Sequence, residues 1–390
     1  MPVRFNILPS ADLKKLSSAI LTAVQAHPSI MSIIEEKDGS YYLKYRPETA
    51  FTFPVEDMTD EALEKASADF VKPFDLSGEP LFRCRIIKGE SKSIVLMDIY
   101  HVICDGFSLM KLKDDIGSAF AGETIVEDWN YQLLKEEAES RSSEKFRKDM
   151  EFFANRYDNP GWVTCLKPDH ESDGNTNSRI FLPFDFKQKE TAALEKKYGL
   201  GKNGVYLAAT ALAIASCSNS EDIMFTWTWH GRSDARRMNS VGFFCRDLPV
   251  ALHLKRGLSL SALFEDISRQ VSEGISHGSV SYWEEKGSYN GNELVCFLYQ
   301  GDFYEYHDAE DVVSDAGELQ RPAGAGYNLL DVELLDGKDA FGIQLSYNAE
   351  KYERQSIESF GRRFCNLCAL MIRSDSNTVT VGDILSDIAK

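Results

Sequence analysis

Residues 94–112 read IVLMDIYHVICDGFSLMKL. From Ile94 to Tyr100 the run is apolar on both faces except at Asp98, the pattern of a central strand covered on both sides. His101 stands where that strand ends, and Asp105-Gly106 follows as a tight turn. From Phe107 to Phe120 the residues Leu109, Leu112, Ile116 and Phe120 fall on one helical face, so a helix packs back on the sheet. The run is strand, turn and helix, with an imidazole at the mouth of the sheet. Such an imidazole can take a proton from an attacking amine or hydroxyl near neutral pH. Periodicity leaves a second reading open, a core histidine hydrogen-bonded for structure. Asp105 by itself reads as structural, because a buried carboxylate needs a cationic partner. Cys104 adds a third reading, a Cys–His nucleophilic pair.

Outward from this run the elements alternate in type. Helices are expected over 10–26, 62–71, 188–198, 205–217, 260–275 and 353–372, with an amphipathic segment over 129–157. Strands are expected at 41–45, 82–87, 179–186, 222–229, 241–254, 294–300, 328–335 and 340–348. The stretch NPGWVTCLKPDHESDGNTN (159–177) is rich in Pro, Gly, Asp and Asn and reads as a linker. The chain of 390 residues exceeds the size at which one core keeps growing. Two α+β lobes follow, residues 1–157 and 179–390, joined across 158–178.

Composition is that of a soluble globular protein, 43% hydrophobic and 27% charged. A formal net charge of -18 argues against nucleic acid and anionic membrane as partners. Local basic clusters remain at Arg141, Lys145, Arg147 and Lys148, and at Arg232, Arg236 and Arg237. Eight cysteines are scattered through mostly apolar runs, the usage of a reduced, cytoplasmic protein. Cys365 and Cys368 form a C-x-x-C inside a helical pattern with no second pair, too few ligands for zinc, and no metal is expected. No signal core and no membrane-length apolar run occurs. G-x-S-x-G, P-loop, H-E-x-x-H and G-x-G-x-x-G motifs are missing as well.

His101-Val-Ile-Cys-Asp105-Gly106 fits H-x-x-x-D-G, the signature of the chloramphenicol acetyltransferase-like acyltransferase superfamily. KPFDLSGEPLFRCRII (72–87) resembles the "pFDLs…PLfR" segment of condensation domains of nonribosomal peptide synthetases. AVQAHPSIMSII (23–34) is similar to their "l…RHpaLRt.f" segment. DIMFTWTWHGRSD (222–234) and SVGFFCRDLPVAL (240–252) resemble "di..G....gR" and "vG.FvNtLPl". Residues 259–282 and 341–364 continue the match in order, so the resemblance covers nearly the whole chain.

The resemblance implies two acetyltransferase-like lobes in a V-shaped pseudo-dimer with an inter-lobe tunnel. Donor and acceptor carrier proteins would present phosphopantetheine thioesters there, for amide formation in nonribosomal peptide and antibiotic biosynthesis. No cofactor is bound by the domain itself, and neighbouring synthetase domains are partners if it is an excised piece. His101 is implied as the active-centre residue, with Asp105, Gly106 and Arg232 structural beside it. Tyr100, Cys104, Trp229 and Arg246 are implied as tunnel-lining. The chain departs from the pattern at Tyr100, where the family has a first histidine, and at Met31 in place of an arginine. It departs again at Arg246-Asp247, where the family has Asn-Thr. Three alternatives stand beside amide formation. A stand-alone acyltransferase acting on a free amine or alcohol lacks its D-F-G-W-G segment here. An epimerisation domain lacks its glutamate, replaced by Thr228. A non-catalytic scaffold that binds carriers fits the altered residues.

Overall fold

The computed structural model describes all residues except 77, 158–160, 282–283, 285–293, 302–312, 319–329, 338–340 and 389–390. They group into two compact units. The first takes Met1–Glu139, returns for His230–Cys245, and includes the strand β11 (Val313–Glu318). Its elements run β1 (Pro2–Ile7), α1 (Leu13–Ala26), the hairpin β2 (Ser32–Lys37) and β3 (Ser40–Tyr45), β4 (Val55–Asp57), α2 (Asp60–Ala68), β5 (Phe82–Lys88) and β6 (Ser93–Ile99). Then come α3 (Gly106–Ala121), α4 (Asn130–Ser140) and the single turn α8 (Ala235–Met238).

The main sheet of this unit has the order β11-β1-β6-β5-β4, with β6 antiparallel to both neighbours. Alternation along β6 explains why its sequence is apolar on both faces. Val95, Met97 and Ile99 join a core with Leu16 and Ile20 of α1 and Leu109 and Leu112 of α3. Ile94 and Leu96 point the other way, into a smaller cluster with Leu63 of α2 and Ile87. Asp98, the one charged residue of β6, is buried with Arg83 Nε 3.6 Å away, so its charge is matched.

The second unit takes Ser140–Trp229, Arg246–Asp302 and Ala323–Lys390. It contains α5 (Glu144–Tyr157), β7 (Asn177–Pro183), α6 (Ala192–Tyr198), α7 (Gly204–Ser218), β8 (Asp222–Trp229), β9 (Arg246–His253) and α9 (Leu260–Ser276). β10 (Val295–Gly301), β12 (Leu330–Asp336), β13 (Phe341–Asn348), α10 (Arg354–Arg373) and α11 (Val381–Ile388) complete it. Its sheet order is β7-β13-β12-β10-β8-β9, and β10 runs parallel to both of its neighbours. α7 is apolar on almost every side and buried from Gly204 to Ala215, as a helix in the middle of a core must be.

Two expectations change in detail. The strand expected over 241–254 begins only at Arg246. Residues 241–245 belong to the first unit, where the N–H groups of Val241 and Phe244 donate to the carboxylates of Asp128 and Asp105. The second unit also starts at Ser140, ahead of the linker read at 158–178, because Phe153 and Tyr157 of α5 are buried in its core. Within that linker, Val163 bridges to Ile223 and joins the same unit. Residues 158–160, 282, 328–329 and 340 of the expected segments lie outside the described residues. Among the described residues, no helix is long and apolar enough to cross a membrane.

Candidate active site

The end of β6 is shaped by the residues that follow it. Tyr100 caps a short 3-10 turn over His101–Ile103, and Asp105 then caps α3 by accepting from Ser108 N at 2.8 Å. Ile103, Cys104 and Asp105 are buried, whereas His101 is exposed. The corner therefore turns its carboxylate inward and its imidazole outward. Gly106 is the first residue of α3, and its φ is not positive, so the turn does not use the left-handed region there.

Asp105, at 0% exposure, is surrounded by donors. Its Oδ1 accepts from Arg232 Nη2 at 2.8 Å, and its Oδ2 from Phe244 N at 2.9 Å, with Cys245 Sγ at 3.6 Å. Arg232, 4% exposed, also donates to the carbonyls of Ser240 and Arg237, and its guanidinium lies 4.7 Å from the ring centres of both Phe107 and Phe244. Ser108 Oγ joins the group, accepting from Gly242 N at 2.9 Å and lying 2.6 Å from Gly242 O. Arg232 reaches this place because Gly231 has φ +66° and passes tightly under Phe244. A Cβ at Gly231 would stand 1.8 Å from Phe244 O, so only glycine fits.

This clasp fixes the Ser240–Phe244 segment, and Phe243 of that segment meets His101 edge to face, ring centres 5.5 Å apart. Tyr100, in the place of the family's first histidine, meets Phe74 edge to face with ring centres 5.8 Å apart, and Arg83 covers the Phe74 ring at 3.8 Å. Its ring is thus part of an aromatic and cationic packing cluster. Cys104 is fully buried, and burial, followed by the charge of Asp105, pushes its thiol well above the usual value. A Cys–His nucleophilic pair needs a thiolate, which this environment disfavours.

Trp229 and Arg246 lie in the second unit, opposite each other in the β8–β9 register. One position further in, Thr228 Oγ1 donates to Asp247 Oδ1 at 2.8 Å. Both basic clusters are locally neutralised. Arg141 pairs with Glu284, Lys145 with Asp149, Arg147 with Glu151 and Lys148 with Glu144. Arg236 pairs with Glu136 and Arg237 with Asp234. The residues that sequence reasoning missed are Ser108, Phe243 and Phe244. Ser108 carried a signal, three residues after the capping Asp105. The two phenylalanines carried no periodic signal, since an apolar pair after a glycine reads as strand, although both fall in the family-like segment 240–252.

The exposed imidazole thus stands at a central strand's end, with an aspartate beneath it clasped by an arginine from a distant segment, in a fold of the chloramphenicol acetyltransferase-like class. The chain belongs to the condensation domain family, whose model matches residues 1–390. It is 23% identical to gramicidin S synthase 2 of Aneurinibacillus migulanus over 100% of its length and 22% identical to tyrocidine synthase 3 of Brevibacillus parabrevis over 99%. It spans only 9% and 6% of those two proteins. Among solved structures it resembles the condensation domain of the monacolin K polyketide synthase MokA, with a TM-score of 0.80 at 14% identity, covering 97% of this chain and 93% of that one. It also resembles the epimerization domain from the third module of tyrocidine synthetase B, with a TM-score of 0.76 at 18% identity, covering 95% and 92%.

Proposed function

We propose that the chain is an amide-forming condensation domain of nonribosomal peptide synthesis, with His101 serving the attack of an acceptor amine on a donor acyl or aminoacyl thioester. The substrates are presented on phosphopantetheine arms of donor and acceptor carrier proteins. The synthase relatives that contain such domains support this reading. The observation that carries it is the division of labour at the corner. Asp105 is buried and held by Arg232, Ser108 and Phe244, and so is no proton acceptor, while His101 is exposed on a buttress made by Phe243.

In the reaction the amine lone pair forms the N–C bond, the C–S bond breaks, and the proton lost by nitrogen ends on the departing sulfur. The His101 imidazole takes that proton, or hydrogen-bonds the amine as it attacks, and the arm's thiol carries it away. The test is reconstitution with candidate donor and acceptor carriers, following amide product by intact mass. His101→Ala should lower the rate by about 10²–10⁴-fold. Cys104→Ser should leave turnover nearly intact. Unchanged product formation in His101→Ala sinks the role of this residue. Carrier binding without any product in the unaltered protein leaves a binding scaffold, the reading that the packing of Tyr100 on Phe74 favours.

A further inference from the structure

A second histidine, His27, is completely buried at the C-terminus of α1, where the helix dipole favours a cation. Its Nδ1 is 2.7 Å from Asp128 Oδ2, and its Nε2 is 3.0 Å from Asp115 Oδ2, an ion-pair contact outside good hydrogen-bond geometry. Both aspartates accept further hydrogen bonds. Asp115 accepts both oxygens' bonds from Lys111 Nζ at 2.6 Å. Asp128 accepts from Asn130 N at 2.8 Å and from Val241 N at 2.8 Å. A ring nitrogen facing a carboxylate oxygen at these distances must carry a proton, since two lone pairs would repel. Nδ1 of His27 is so placed, and the Asp115 oxygen 3.0 Å from Nε2 favours a second proton on the ring.

The charge has a structural reach. Asp128 Oδ2 is shared between His27 and the N–H of Val241, and Ser29 Oγ donates to Val241 O at 3.0 Å. The next residues, Gly242 to Phe244, are the ones clasped by Asp105 and Ser108, and Phe243 lies against His101. The segment is thus tied at one end to the His27 network and at the other to the Arg232 clasp.

We propose that His27 is a positioning residue for His101: its imidazolium orients Asp128, which holds the Ser240–Phe244 segment on which His101 rests. This rests on the reading of His101 as the reacting imidazole. The charged groups facing His27 are Asp115 and Lys111 of α3 and Asp128 of the 122–129 loop. The last turn of α1 and residues 240–244 bring no titratable side chain. Burial opposes the charge on His27, but the two aspartates outweigh it and raise its pKa above the ordinary 6.5. A raised histidine pKa means that the contribution is whole below the ordinary 6.5 and is lost as pH rises through the folded value. Asp115 and Asp128 line a cavity of about 290 Å³ through which protons can exchange.

The direction is diagnostic, because deprotonating the acceptor amine or His101 speeds the reaction as pH rises. The experiment uses ¹⁵N-histidine labelling, amide hydrogen exchange and single-turnover amide formation at neutral and alkaline pH. Both His27 ring nitrogens should be protonated at neutral pH, and the 241–244 amides should lose protection together with the second ring proton. Amide formation should fall at alkaline pH as His27 loses its second proton, and His27→Gln should reduce the single-turnover rate by about 10–100-fold and abolish that fall. A neutral His27 ring at pH 7, or protection at 241–244 that ignores its titration, overturns the proposal. If His27→Gln does not fold, the ring and exchange measurements on the unaltered protein decide alone. Those two readouts need no substrate, so they separate failure here from failure of the condensation reading.

Discussion

At the residue scale, the Asp105–Arg232 pair sets how much the candidate site depends on buried charge. Both side chains are fully out of solvent, so each depends on the other for its compensation. Arg232→Ala should destabilise the first unit by about 3–5 kcal/mol, because Asp105 is left charged and unmatched. Asp105→Asn combined with Arg232→Met removes both charges and should cost clearly less than the two single changes added together. Urea unfolding of the four proteins in this cycle checks it, and strictly additive losses would mean that the two residues act independently. The partnership is invisible to periodicity, since 127 residues separate its members. Only the resemblance of HGR to a family segment pointed to Arg232. Similarly, the exposed setting of His101 could not be read locally. An apolar strand followed by histidine looks the same whether the 3-10 turn rolls that ring inward or outward.

At the element scale, β6, α3, α7 and α10 were legible because each carries a strong period or a long apolar run. Short, half-exposed elements were not. β4 has three residues, and β2 mixes buried and charged positions, so neither repeats long enough to register. Residues 241–245 look like strand because their apolar side chains serve a clasp rather than a ladder. α5 was read only as amphipathic, yet its attachment can be tested. Asp149, on the inner face of α5, accepts from Lys145 Nζ at 2.6 Å, Ser279 Oγ at 2.5 Å and His277 Nδ1 at 2.8 Å. Phe152 lies flat on the His277 ring at 3.9 Å. Burial opposes ionisation of Asp149, but the bonds from Lys145, Ser279 and His277 outweigh it and hold the carboxyl below the ordinary 3.8. A depressed carboxyl pKa contributes stability above the unfolded value, and that stability disappears as pH falls through the folded one. Asp149→Asn should therefore lower stability at neutral pH and flatten its decline below about pH 4. Thermal unfolding across that range measures it, and an unchanged acid slope would assign the decline to other carboxylates.

For the whole molecule, the first unit is not a contiguous stretch. Its sheet takes β11 on the edge of β1, and its clasp takes Arg232 and the Ser240–Phe244 segment. Composition suggested a break near 158–178, because a Pro- and Gly-rich stretch is the visible mark of a linker. A chain that leaves a unit and returns to it leaves no such mark. The consequence is that residues 1–157 alone should not fold. In that fragment Asp105 loses Arg232 and the Phe244 N–H, and Asp128 loses the Val241 N–H. Unpairing one buried charge costs about 3–5 kcal/mol, a large share of the roughly 5–15 kcal/mol that holds a domain together. The uncovered edge of β1 adds an aggregation hazard. Expressed alone, 1–157 should show no cooperative urea transition. Mixed with 158–390, it should recover one together with the near-ultraviolet signal of its packed tyrosines. Asp105→Asn in the fragment should not restore folding, because the missing strand and the Val241 contact are still absent. A cooperative transition in isolated 1–157 would show instead that the first core is self-sufficient and that the returning segments only orient His101.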